Sequence, residues 1–199
     1  MFPMSSRNKY CLRLTTGSLI TLLLLSFLLP IPPCYGQKAA VDDLVVSNSK
    51  EDLLVFFTVK DAFSNEMIEA VKNGLPVTFT FQLQLYEINS GWPDSRIADV
   101  SIDHILRYDG LKEEYTMTDD GEEGRTQTVG KLQEALRIMS EINGYRLLSL
   151  KRLRPGGDYR LRVKALLAKK ELPFKMHYLI PFYSLWGFET DWYELSFRY

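Results

Sequence analysis

Within six residues the chain sets Asp99, Ser101, Asp103 and His104. Nucleophile, base and orienting acid are the residue types of a hydrolytic triad, provided that nucleophile and base come within hydrogen-bond reach. The surrounding alternation keeps them apart. His104 shares parity with Val100, Ile102 and Leu106, whereas Ser101 and Asp103 point to the other face of the same strand. His104 therefore reads as a core-edge histidine satisfied by one hydrogen bond. The acids suggest a second chemistry. Asp99, Asp103, Glu113 and Glu114 fall on neighbouring strands, where two carboxyl groups at a glycosidase-like separation serve as acid and base. A solvated acidic hairpin accounts for them equally well.

Metal and phosphate chemistry find less support. Asp119-Asp120-Gly121-Glu122-Glu123-Gly124 carries oxygen ligands but lacks the alternate-position acids and closing glutamate of a calcium loop, and reads as a solvated hairpin loop. His104 and His177 are the only histidines, and both cysteines, Cys11 and Cys34, precede residue 37. A zinc site would then need carboxylates that the spacing does not organise. Pro155-Gly156-Gly157 precedes a strand rather than the helix whose amides cradle phosphate, so it is a turn. The expectation is no metal and no cofactor.

Charge is divided along the chain. From Gln37 to Tyr145 ten Lys/Arg stand against twenty Asp/Glu; from Arg146 to Tyr199 eleven stand against five. Arg160, Arg162 and Lys164 share one strand face, opposite Leu161 and Val163. That basic face is either a solvated surface, paired across strands with the acidic hairpin Asp99–Glu114, or a contact for anionic headgroups or an acidic partner. Aromatic residues are dense between Phe174 and Trp192. Tyr178, Phe182, Tyr183, Trp186 and Phe188 form the candidate docking surface, since aromatics are enriched at protein interfaces.

The elements that position these residues have a period of two. Val77 to Leu85 (VTFTFQLQL) separates five apolar residues from four polar ones, the pattern of a strand with one face in a core and one in water. Further strands are predicted at Val41–Ser47, Leu53–Lys60, Arg96–Tyr108, Lys112–Thr118, Tyr145–Leu153, Tyr159–Leu167, Pro173–Ile180 and Trp192–Arg198. Asp109-Gly110 is placed for a tight hairpin turn with positive φ, and Arg154 to Asp158 for another turn. Tyr193, Leu195, Phe197 and Tyr199 alternate as a strand that closes a core. Two helices are predicted. Glu66–Asn73 is capped by Ser64 or Asn65 and stopped by Gly74; Val129–Asn143 carries an apolar stripe of Val129, Leu132, Leu136 and Met139 between Thr128 and Gly144. The expected fold is mainly β (α+β), an antiparallel sandwich of about eight to nine strands decorated by two short helices.

Ahead of this domain lies an address. Arg7, Lys9 and Arg13 form a positive start without acids, Leu19 to Leu29 is almost wholly aliphatic, and Pro30, Pro32 and Pro33 lead to Cys34-Tyr35-Gly36. These are the parts of a secretory signal, with the cut expected between Gly36 and Gln37. Retention as an uncleaved membrane anchor stays open, because Thr15 to Ile31 nearly reaches the length of a bilayer span. Either way residues 37–199 form one domain outside the cytoplasm, and the missing twin-arginine pair points to the general secretion route. Nucleic acid is excluded as a partner by compartment and by the domain's negative charge. An aromatic content of 13% and a charged content of 25% exclude a disordered chain.

The order of these segments resembles a family of bacterial exported proteins, domain-of-unknown-function family 4390. The resemblance runs from about Leu44 to Tyr199. It rests on Ala70-Val71-Lys72-Asn73-Gly74-Leu75-Pro76 before the alternating strand, Arg107-Tyr108-Asp109 with Tyr115, and Leu132-Gln133-Glu134-Ala135-Leu136. Leu153-Arg154-Pro155-Gly156-Gly157-Asp158-Tyr159, Glu171-Leu172-Pro173 and Asp191-Trp192 complete it. The acidic loop Asp119–Gly124 is longer than the family pattern. The resemblance implies an exported envelope protein without an assigned activity, and a link to a membrane sensor kinase. Two functions remain: a non-enzymatic periplasmic module that binds an envelope protein, with contact to the membrane surface also open, or a glycan- or lipid-acting domain that relies on carboxylates.

Overall fold

The computed structural model describes residues 39–121, 124–167 and 189–199. Among them are nine strands and two helices in the order β1 Ala40–Asn48, β2 Asp52–Lys60, α1 Asn65–Lys72, β3 Val77–Glu87, β4 Ser95–Asp109, β5 Glu114–Asp119, β6 Thr126–Val129, α2 Leu132–Met139, β7 Glu141–Ser149, β8 Asp158–Leu167 and β9 Tyr193–Arg198. A three-stranded sheet has the order β1-β2-β7 and a six-stranded sheet the order β6-β5-β4-β3-β8-β9; every pairing is antiparallel. The fold is the expected mainly-β sandwich with two short helices.

Alternation builds the core. Leu53, Val55, Phe57 and Val59 of β2 face Phe79, Phe81, Leu83 and Leu85 of β3, with Ile102 and Leu106 of β4 and Leu161, Val163 and Ala165 of β8 beside them, all buried in one cluster. Phe57 meets Phe81 edge to face across the two sheets at 5.6 Å between ring centroids. Each of these side chains but that of Ala165 stabilises the fold by about 1.5–3 kcal/mol through removal from water. β3 is central because it exchanges its ladder with β4 on one side and β8 on the other.

The first helix follows its sequence signals. The Ser64 hydroxyl accepts a hydrogen bond from the Met67 amide at 3.3 Å, and Gly74 takes φ +80. The second does not. It spans only Leu132–Met139, with Lys131 at the N-cap and no side-chain cap. Val129 instead pairs with Tyr115 at the end of β6, a strand absent from the expected set, and Glu141 to Asn143 begin β7 against Phe56, Phe57 and Thr58. Burial of Ile142 opposite Phe57 and a full ladder outweigh two further helical turns. Gly144 falls inside β7 at φ +75, beside a break in the β2 register, with the Phe56 ring 3.4 Å from where a Cβ would stand.

The β4–β5 turn also differs. Asp109 accepts the amides of Leu111 and Lys112 on its carboxylate at 2.9 and 3.2 Å, so the loop runs over four residues and Glu113 takes the positive φ. The segment Pro173–Ile180, read as a strand, lies outside the described residues. Among the described residues no helix is long and apolar enough to cross a membrane.

Candidate functional site

The basic face lies where the β8 alternation put it. Arg160, Arg162 and Lys164 point outward while Tyr159, Leu161, Val163 and Ala165 are buried. Their partners come from an unexpected direction. Arg160 reaches Asp94 at 3.2 Å, Arg162 reaches Glu194 at 2.8 Å, and Lys164 pairs with Glu189. The Trp192 ring lies under both Arg162 and Lys164, with its centroid 4.9 and 5.4 Å from their cationic groups. The acidic hairpin Asp99–Glu114 does not supply these acids. β3 stands between β8 and β4, which separates their side chains by two strand spacings, about 10 Å.

Three of the four carboxylates, Asp99, Asp103 and Glu114, stay on the polar side of the large sheet. Asp99 pairs with Arg96 at 2.6 Å and Asp103 accepts the Thr80 hydroxyl at 2.6 Å. Glu113 sits in the β4–β5 turn and Glu114 is exposed on β5. None of the four lines either cleft described below.

His104 is buried in the sandwich, 3% exposed. The Phe81 ring stands edge-on to it at 4.9 Å, and its Nδ1 donates to the Met139 carbonyl at 3.2 Å. A carbonyl can only accept, so Nδ1 carries the proton. Burial pushes its pKa below the ordinary imidazole value, against the opposing pull of Asp119. The neutral ring then presents Nε2 as a bare acceptor, 4.0 Å from Asp119 Oδ1. That oxygen is itself an acceptor, held by the Gly121 amide at 2.7 Å.

His104 and Asp119 lie at the floor of a cleft of about 620 Å³ between β7, α2 and the β4–β6 end of the large sheet. Its rim carries Arg125, Arg137 and Arg146, together with Glu141, which bonds Arg137 at 2.6 Å. The cleft exists because the three-stranded sheet is too narrow to cover the six-stranded one, and the eight-residue α2 roofs only part of the excess. The spacing of these residues in the sequence gave no sign of it.

A second cleft, of about 580 Å³, opens at the far end of the sandwich between the β3–β4 loop and the turn before β8. Trp92 stands there 80% exposed. Its loop is held from several sides: Asn89 Nδ2 donates to the Pro93 carbonyl and to Ser95 Oγ, the Ile88 amide donates to the Asp158 carbonyl, and Asp94 accepts from Arg160. The candidate docking residues Tyr178, Phe182, Tyr183, Trp186 and Phe188 lie outside the described residues. Trp92, missed in the sequence, sits between Gly91 and Pro93, and an aromatic inside a turn signal is the one mark it left.

The sequence model of a family described as Domain of unknown function (DUF4390) matches residues 36–196. The chain belongs to this family. The match spans both helices and every described strand but the last two residues of β9, so the two clefts and the basic face all fall within the DUF4390 region. No curated protein and no solved structure matches the chain.

Proposed function

We propose that this DUF4390 protein is an exported envelope module that binds a protein partner and does no chemistry of its own. One observation carries the reading: Trp92 is 80% exposed on a loop whose neighbours are already hydrogen-bonded in place. A buried tryptophan is unremarkable, but an exposed one on a preorganised loop is the residue type that dominates binding hot spots, and holding it rigid reduces the entropy lost on association. Arg154, another hot-spot type, lines the same cleft and pairs with Glu87 at 3.1 Å. The leader of residues 1–36 supports the compartment, and the family resemblance makes the outer domain of a membrane sensor the first partner to seek.

A photocrosslinking amino acid placed at position 92 in cells tests the reading. The same probe at Leu111, 98% exposed at the opposite end of the sandwich, serves as control. The expected result is one discrete envelope-protein adduct from position 92 and none from 111. Equal yields at the two positions, or none from 92, would refute it. Probes at Tyr183 and Trp186 ask the same of the aromatic segment.

A further inference from the structure

A sheet edge is a row of unpaired amides and carbonyls, and strands that remain at an edge are blunted by bulges, brevity, proline or charge. Among the described residues the sandwich has four edges, β1 and β7 on the small sheet and β6 and β9 on the large one. Three of them are blunted. The β1 register breaks between Asp42 and Val45, with Asp43 at φ +52, the β7 register breaks twice, and β6 has only four residues. The fourth is not. β9 pairs with β8 without a break from Tyr193 to Arg198, and it contains neither proline nor lysine.

The backbone of β9 is set for one more neighbour. The Tyr199 amide donates to the Gly157 carbonyl at 3.1 Å, so by alternation Phe197, Leu195 and Tyr193 also turn their amides and carbonyls toward β8. Glu194, Ser196 and Arg198 turn theirs to the open edge. On the core side Leu195 and Phe197 are only partly buried, and Tyr193 and Tyr199 are 46% and 38% exposed.

The stretch Tyr193–Tyr199, YELSFRY, is its own chemical complement about Ser196. Laid antiparallel on a second copy, it sets Ser196 against Ser196, Glu194 against Arg198, Leu195 against Phe197 and Tyr193 against Tyr199. Ser196 and the two Glu194–Arg198 pairs are then the positions whose backbone groups face outward, and each pair exchanges two hydrogen bonds. Leu195–Phe197 and Tyr193–Tyr199 fall at the non-hydrogen-bonded sites, where side chains come closest. Glu194 and Arg198 already pair with Arg162 and Asp158 of β8, so their part is to fix the register. A slip of four residues would set one of them against its own like charge.

We propose that β9 is a self-association edge: two copies of the chain pair antiparallel through Tyr193–Tyr199 about a two-fold axis at Ser196, joining their six-stranded sheets into one. No β9 residue lines the Trp92 cleft, so partner binding there and self-association can fail independently.

Sedimentation and disulfide trapping of the full chain, purified in detergent, test the pairing. The wild type is expected as a dimer at about 100 μM. Ser196→Pro removes an outward amide and leaves the β8 ladder whole, so it should weaken dimerisation by at least about tenfold without lowering the thermal midpoint. In a background with Cys11 and Cys34 replaced by serine, Ser196→Cys should form a disulfide-linked dimer on oxidation, since hydrogen-bonded pairs stand about 5.5 Å apart at Cα. Arg198→Cys should not, because its two copies would be offset by four residues, about 14 Å. These two cysteine variants decide the outcome even if proline disturbs the fold. The proposal is overturned if the wild type is monomeric at about 100 μM, if folded Ser196→Pro dimerises as the wild type does, or if Arg198→Cys links as readily as Ser196→Cys. It is equally overturned if Ser196→Cys in cells links to a different protein rather than to a second copy.

Discussion

His104 shows how one buried residue ties stability to pH. Burial lowers its pKa in the folded protein, because the imidazolium loses water, and Asp119 at 4.0 Å only partly offsets this. In the unfolded chain the ring titrates near the ordinary value of about 6.5. Between the two values the unfolded state binds more protons, so this contribution is complete above about pH 6.5 and is lost as the pH falls toward the folded-state pKa. Urea midpoints measured at pH 7.5 and 5.5 should therefore drop for the wild type and drop less for His104→Phe. Parallel drops would show that His104 binds protons alike in the folded and unfolded states, so that burial does not lower its pKa. A second residue-scale case is Gly157. A Cβ there would stand 2.9 Å from both the Arg154 carbonyl and the Tyr159 hydroxyl. That hydroxyl accepts the Arg154 amide at 2.7 Å and closes the turn before β8. Tyr159→Phe, which removes the acceptor, should cost about 1–3 kcal/mol in denaturant unfolding; a loss under ~0.5 kcal/mol would mean that water replaces it.

At the scale of elements, α2 is the part that owes most to its surroundings. Eight residues are too few for an isolated helix in water, yet Ala135 and Met139 are fully buried and Leu132, Leu136 and Ile138 pack on the same core. A synthetic peptide of residues 130–141 should show no helical circular dichroism in water, while Met139→Ala in the whole protein should cost about 2–5 kcal/mol. The sequence signals misjudged this helix for a definite reason. Val129 and Met139 do share a helical stripe, but the stripe cannot record that β5 and β2 each needed a partner strand. The basic face of β8 makes the converse point. Its side was legible in Arg160, Arg162 and Lys164, whereas its partners Asp94, Glu189 and Glu194 depend on which strand lies next to β8.

For the molecule as a whole, stability and recognition are assigned to different residues. Phe81, on the central β3 and against Phe57 of the facing sheet, should cost about 3–5 kcal/mol on replacement by alanine. Trp92→Ala should change stability by less than ~0.5 kcal/mol, as expected of a surface position, while abolishing the position-92 crosslink partner's binding. Thermal unfolding and co-purification of the two variants separate these outcomes; a large stability loss for Trp92→Ala would recast it as a structural residue. The two clefts follow from the same asymmetry, three strands facing six, which leaves part of the large sheet to be covered by loops and one short helix.

Most of the described strands, their buried parity and the Ser64 cap were determined by the sequence, because each depends on residues a few positions apart; β6 and the start of β7 were not. Strand order was not, since every alternating segment offers the same two edges to any neighbour, and pairs such as β2 with β7 or β3 with β8 join residues some eighty positions apart. Only the tertiary structure could set His104 opposite Asp119, bring three arginines to one rim and leave Trp92 in the open, because those arrangements depend on which edges meet.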